Sequence, residues 1–218
     1  MAALRLAMPP NAALTGELRQ SPLRHAECVT PMSEEVRKPV VFLVGDRVYL
    51  RPLEFADLAL AQRWINDPAT RRGLTIHWPI NEIAERKFIE KASESTDQVV
   101  LAIVLRDGDR PIGAVGLHFL RWKDRAGEVG IMIGEAQWRG HGYGPEALLV
   151  MLRYAFEELN LNRVQICVYD FNDNARRAYE KLGFVREGVQ REYTFKEGHY
   201  VDQIVYSMLA REWFARQQ

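Results

Sequence analysis

The stretch from Gln137 to Leu159, QWRGHGYGPEALLVMLRYAFEEL, constrains this chain most. Three glycines at alternate positions, Gly140, Gly142 and Gly144, follow the apolar run Val129 to Ile133 and lead into an amphipathic helix. Glycine lets backbone N–H groups converge on one point without interference from a Cβ. The first turn of a helix then adds unpaired donors and the positive end of its dipole. Such a turn binds anions, and a phosphorylated ligand is expected. Pro145 is read at the first helical position, which favours proline, with Glu146 in the first turn. A glycine-rich turn can equally be a bland connector, and a lone GlyXGly does not separate the two. The dinucleotide fingerprint GlyXGlyXXGly, with an acidic residue about 20 positions on, is not met.

The order Arg139, two residues, Gly142, one residue, Gly144 resembles the ArgXXGlyXGly acetyl-CoA loop of the GNAT N-acetyltransferases. A later segment, NDNARRAYEKLGF from Asn172 to Phe184, resembles that family's AsnXXAlaXXXTyrXXXGlyPhe signature at Asn172, Ala175, Tyr179, Gly183 and Phe184. Two motifs in the right order, separated by one helix and one strand, are far more specific than either alone. The resemblance runs from Val48 to Phe214 and is nearest to the branch of ribosomal-protein N-terminal and polyamine acetyltransferases. It implies an α/β (α+β) fold, a mixed and mostly antiparallel twisted sheet of six to seven strands. Helices lie on both faces of such a sheet, and a central split separates two parallel strands. It also implies acetyl-CoA as cosubstrate and a primary amine as acceptor, whether a protein or peptide N-terminus, a polyamine or another small amine. Homodimers are common in that branch. The loop departs from the branch at Pro145, where a Ser or Thr hydroxyl often helps hold phosphate, so backbone donors are expected to carry the site.

The 218 residues suffice for one domain with a sizeable core. Lysine plus arginine equals aspartate plus glutamate, so no overall field draws the chain to nucleic acid or to an anionic membrane, and neither is expected as a partner. The two cysteines, Cys28 and Cys167, fit a reducing compartment, and a cytoplasmic location is expected. No apolar run approaches the length of a membrane span. Residues 1–39 scatter Pro9, Pro10, Pro22, Pro31 and Pro39 among short apolar pieces and are expected to form a poorly ordered extension before a domain spanning 40–218. Met32 opens a stretch that reads as an ordinary start, which would make residues 1–31 an upstream addition.

Periodicity predicts a strand over Val48 to Arg51, then a helix capped by Asp57 that carries Leu58, Ala61, Trp64 and Ile65 on one stripe and ends near Asn66 to Pro68. Asn81 is expected to cap a second helix through Lys91, with Thr70 to Pro79 between the two. Strands are expected over Val99 to Arg106, Ile112 to Phe119, Glu128 to Ile133 and Arg163 to Tyr169, and a closing hairpin over Val189 to Phe195 and Tyr200 to Met208. The resemblance makes the helix pair and its loop one wall of the acceptor site, and inserts the pantetheine arm between the strands Glu128 to Ile133 and Arg163 to Tyr169. Pantetheine carries two amides, so strand edges offer it a physical partner, with main-chain bonds expected from Ile131, Met132 and Ile133.

Acyl transfer to an amine sets the chemistry. An alkylammonium has a pKa near 10.4 and only the neutral amine attacks a thioester, so a proton must be accepted. Glu128 matches the family's carboxylate at the start of its strand and is the candidate base, through a water; its bland alternative is a solvated partner of Arg125 or Arg163. Tyr179 holds the family's general-acid position, where its phenol would stabilise the departing CoA thiolate. A tyrosine on a helix otherwise tends to be a core residue. Arg139, Gly140, His141, Gly142, Tyr143 and Gly144 are assigned to the phosphates, and Asn172 to the CoA arm or to a helix cap. No metal is expected, since His141 has no companion at ligand spacing. Cys167 sits among Val164, Ile166 and Val168 with nothing to activate it, so transfer is expected to be direct, within a ternary complex. The acidic residues Glu54, Asp57, Glu82 and Glu85 and the aromatics Trp64 and Trp78 are candidate acceptor contacts, with exposed charge and core packing as their bland alternatives. A non-catalytic acyl-CoA-binding module is the alternative to an enzyme, because fold does not entail function.

Overall fold

A computed structural model describes residues 40–217; the expectations for residues 1–39, Cys28 and Met32 lie outside the described residues. Eight strands form one open sheet: β1 (Leu43–Val44), β2 (Val48–Pro52), β3 (Val99–Leu105), β4 (Arg110–Arg121), β5 (Ala126–Ile133), β6 (Arg163–Tyr169), β7 (Val185–Lys196) and β8 (His199–Leu209). Their order is β1-β2-β3-β4-β5-β6-β8-β7. Every pairing is antiparallel except that of β5 with β6. The eighth strand relative to the sequence reading is β1, only two residues long and too short to carry a period.

Helices cover both faces. On one lie α1 (Leu58–Asn66), α2 (Pro68–Arg72) and α3 (Glu82–Glu94); α4 (Tyr143–Arg153) and α5 (Asp173–Leu182) belong to the other, and α6 (Ala210–Ala215) closes the chain. Strand alternation sends β5 into both layers. Val129 and Ile131 join the main core with Leu148, Met151 and Tyr179, whereas Met132 packs with Trp64, Ile65, Leu74 and Ile76. Trp64 docks α1 by lying where a Cβ on Gly134 would stand, 2.1 Å from its ring, and its Nε1 donates to Glu135 Oε1 at 2.8 Å. β3, sequence VVLAIVL, is apolar throughout because both of its faces are covered.

Three local readings are corrected. Asp57 does not cap α1 with its carboxylate. Arg51 donates to its two oxygens at 2.7 Å each and the Glu54 N–H at 2.9 Å, so it locks β2 to the turn before the helix. The AsnAspPro segment does more than end α1: Asp67 adopts extended φ/ψ, accepts from Thr70 N at 2.7 Å and starts α2 with Pro68 at the first position. Asn81 does cap α3, accepting from Ala84 N at 2.9 Å. Pro145 is the third residue of α4, whose N-cap is Gly142; the third N–H of a helix is also unpaired, so the proline removes no helical bond.

Candidate active site

The glycine loop is built by backbone angles that other residues avoid. Gly140 and Gly142 have φ of 80° and 86°, in the left-handed region. Gly144 has no such angle, and a Cβ there would make only ordinary contacts with Ile133 and Ile131, at 3.7 and 3.9 Å. Its bareness serves the cleft, which it lines. Glu146, in the first turn of α4, accepts from the N–H groups of Arg47 and Val48 at 2.6 and 3.0 Å and from Arg47 Nε at 2.8 Å. Arg47 also donates to the His141 carbonyl at 3.0 Å and lies 4.7 Å from the Tyr143 ring centroid, clamping the loop to the start of β2. Burial raises the Glu146 carboxyl, but the backbone donors and guanidinium outweigh it and leave the pKa below the ordinary value.

The cleft beside this loop has a volume of 630 Å³. One side is the exposed edge of β5, from Ile131 to Ile133. The parallel register joins only Ala126, Gly127 and Glu128 to Arg163, Val164 and Gln165, so beyond Glu128 the two strands part. β4 pairs with β5 up to Ile133 and β8 with β6 up to Tyr169, so the opening lies between them in mid-sheet. Gly140, Gly142, Gly144 and Pro145 line a second side, Asn172, Ala175 and Tyr179 a third, and Ala69, Thr70, Arg72 and Gly73 a fourth. Unpaired strand edge, unpaired helix donors and a phenol thus meet around one space.

Tyr179 is buried, with Phe184 and Tyr206 against its ring, and it lines the cleft. Burial, reinforced by nearby Cys167, raises the phenol above its usual range, so it stays a neutral donor. Asn172 caps α5, its Oδ1 accepting from Ala175 N at 3.2 Å, and lines the cleft as well, so the two roles open in the sequence coexist in one position.

Glu128 sits at the closed end of the split, the last β5 residue to pair with β6. Gln165 Nε2 donates to its Oε2 at 3.2 Å, and burial outweighs that bond to raise its pKa. It pairs with neither Arg125 nor Arg163: Arg125 binds Asn160, and Arg163 forms a close ion pair with Glu187. Across β4, His118 stands opposite Glu128 in the register. It is buried, its Nε2 has no partner, and burial lowers its pKa to about 4. Cys167, buried two residues from Gln165, has its thiol pushed up to about 11 by burial first and Glu128 second, the reverse of what a nucleophilic thiolate needs.

Other assigned residues separate into backbone and side-chain roles. The ring of His141 stacks on Tyr143, centroids 6.3 Å apart, and Trp138 meets Tyr143 edge-on at 5.9 Å; neither the His141 nor the Tyr143 side chain lines the cleft. The Arg139 guanidinium turns back onto the protein, donating to Ile133 O, Gly134 O and Thr70 Oγ1. One main-chain acceptor expected for the ligand, Ile133 O, therefore has a partner already. Glu54, Asp57, Glu82, Glu85, Trp64 and Trp78 do not line the cleft. The wall expected from the segment Thr70 to Pro79 is represented by Thr70, Arg72 and Gly73, whereas Trp138 and Phe171 line the cleft without having been singled out in the sequence. Trp138 and Phe171 are placed there only by tertiary packing. Among the described residues no group of His, Cys, Asp and Glu is arranged to hold a metal, and no helix is long and apolar enough to cross a membrane.

Known proteins resemble this chain in sequence and in fold. Residues 47–185 match the family described as acetyltransferase (GNAT) domain. An uncharacterized N-acetyltransferase of Bacillus licheniformis, p20, is 26% identical over 175 residues, covering 78% of this chain and 97% of its own. A Bacillus subtilis protein provisionally named a ribosomal N-acetyltransferase, YdaF, is 39% identical over 101 residues, which are 46% of this chain and 55% of that protein. The crystal structure of a Vibrio cholerae spermidine N-acetyltransferase in complex with CoA and spermine superposes with a TM-score of 0.73 at 24% identity, covering 77% of this chain and 98% of the other. Likeness at that identity shows the fold. The family match spans most of the chain and takes in the glycine loop, the split and the tyrosine helix, and on it the chain belongs to the GNAT acetyltransferases and is itself an N-acetyltransferase.

Proposed function

We propose that the chain moves an acetyl group from acetyl-CoA directly to a primary amine, within a ternary complex in the cytoplasm. The observation that carries this reading is the cleft, where a parted strand pair, a glycine loop opening a helix and a buried phenol face one another. The residues fit the cosubstrate. Backbone N–H groups of Gly140 to Gly144 suit the pyrophosphate. The open β5 edge suits the pantetheine amides, less the Ile133 carbonyl that Arg139 already occupies. Acetyl-CoA supplies a thioester whose carbonyl the amine attacks, with CoA as the leaving group; the chain supplies the proton acceptor and the hydrogen-bond donor.

Glu128 accepts the amine proton through a water, and its raised pKa makes it a stronger base than an ordinary carboxylate. Tyr179 donates a hydrogen bond to the sulfur as the tetrahedral intermediate collapses. A phenol above its usual range does not surrender its proton fully to a thiolate near 8.5, so its work is stabilisation of developing charge. The acceptor is a protein or peptide N-terminus, a polyamine or another small amine. The charged side chains lining the cleft are Arg72 and Arg139, and among the described residues no carboxylate lines it, Glu128 included, so Glu128 acts only through water and the lack of an acidic lining supports a peptide α-amine ahead of a polycation.

The test is CoA release, read with a thiol-reactive dye, across peptides beginning with Ser or Ala, spermidine, amino sugars and amino acids. Turnover with one class names the acceptor. Binding of acetyl-CoA with no turnover of any amine would support a non-catalytic acyl-CoA module instead.

A further inference from the structure

Arg139 is the arginine of the loop motif, yet three of its five N–H donors bind protein: Nε to Ile133 O at 2.9 Å, and Nη2 to Gly134 O at 3.0 Å and Thr70 Oγ1 at 2.6 Å. It also stands 3.7 Å from the Asp67 carboxylate. Thr70 is buried and passes the contact on, its hydroxyl donating to Asp67 Oδ1 at 2.9 Å while its N–H donates to the same oxygen at 2.7 Å. Asp67 is the N-cap of α2. At the other end of α2, Lys196 at the tip of the β7–β8 hairpin donates to Leu74 O at 2.7 Å and Arg71 O at 3.3 Å, and Arg72 pairs with Glu197 at 3.1 Å.

A five-residue helix does not hold itself in water, because nucleation costs more than one turn returns. The placement of α2 therefore depends on these ties. The β5 edge, the glycine loop with α4, and α5 line the sides assigned to the cosubstrate, so α2 is the wall left for the second substrate.

We propose that Arg139 is a positioning residue: it fixes α2 through Thr70 and Asp67, and so sets acceptor affinity from the donor loop, in place of binding a phosphate. The inference rests on the acetyl-transfer reading for the identity of the second substrate. Coupling of this kind is reciprocal, so a bound acceptor also steadies the loop that holds the cosubstrate.

Thr70→Val removes the hydroxyl at nearly constant volume and touches no phosphate; Thr70→Ser restores the hydroxyl; Arg139→Gln keeps a donor and removes the charge. Hydrogen exchange of amides 69–75, CoA affinity by calorimetry, and acceptor KM and kcat are measured on the full chain. Expected for Thr70→Val are exchange in 69–75 faster by about tenfold without ligand, an acceptor KM raised by about the same factor, and CoA affinity within about twofold, with Thr70→Ser returning exchange and KM toward the parent. Arg139→Gln should follow Thr70→Val. The inference is overturned if Thr70→Val leaves exchange and KM unchanged, if Thr70→Ser fails to rescue, or if Arg139→Gln costs CoA affinity tenfold or more, the signature of a lost phosphate contact. A parent protein that turns over no amine sinks the functional reading, while the exchange and CoA arms still decide between a positioning and a phosphate-binding Arg139.

Discussion

At the scale of single residues, burial decides more of the chemistry than neighbouring charge does. Tyr179 and Glu128 are both raised chiefly by desolvation, which in the proposed mechanism suits one to remain a donor and the other to act as a base. Tyr179→Phe should lower kcat by about 10²-fold and leave CoA affinity within about twofold, checked by steady-state kinetics beside calorimetry; an unchanged kcat removes it from the mechanism. Glu128→Gln should remove from the acid limb of the kcat/KM profile the component that lies above the ordinary carboxylate range, leaving the limb set by the substrate amine. His118 gives a stability prediction with a definite sign. Its folded pKa is depressed from 6.5 to about 4, so the folded state resists a proton that the unfolded chain accepts. Stability is full above pH 6.5 and falls as pH drops from there toward 4, by about 2 kcal/mol at pH 5. Denaturant unfolding at pH 8 and pH 5 should show that loss in the parent and not in His118→Gln.

At the scale of elements, the glycine loop separates conformational need from ligand need. Gly142→Ala puts a side chain in the left-handed region and a Cβ 3.1 Å from Arg47 Nη2, so both melting temperature and CoA affinity should fall. Gly144→Ala fits the protein but fills the cleft wall, so affinity should fall with the melting temperature nearly unchanged. Glu146 caps β2 and the loop together; Glu146→Ala should cost about 1–2 kcal/mol in chemical denaturation, since two backbone donors and a half-exposed arginine lose their acceptor. None of this pairing was legible in the sequence, because Arg47 and Glu146 are 99 residues apart and neither sits in a local motif. The strands and capped helices were legible because their periods and Asn81 are local signals. α2 was missed because AsnAspPro ends one helix and begins another with the same three residues.

Over the whole molecule, the parting of β5 from β6 is the feature that joins fold to activity. A ligand lying in that opening binds only the folded chain, so CoA at about 100 times its Kd should stabilise the protein by about 2.7 kcal/mol, seen as a raised melting temperature. Amide exchange over Val129 to Ile133 should slow at the same time, as the open edge acquires a partner.

The sequence by itself determined the family, the glycine loop, the tyrosine helix and nearly every strand, since each is written in residues close together along the chain. Only the tertiary structure decided that Arg139 turns toward α2, that Glu128 is shielded beside Gln165 with His118 across the sheet, and that the acidic residues of the first helices stay off the cleft. Those facts depend on which strands lie beside one another and where they separate. A pairing register over long sequence distances sets them, and no local pattern encodes it.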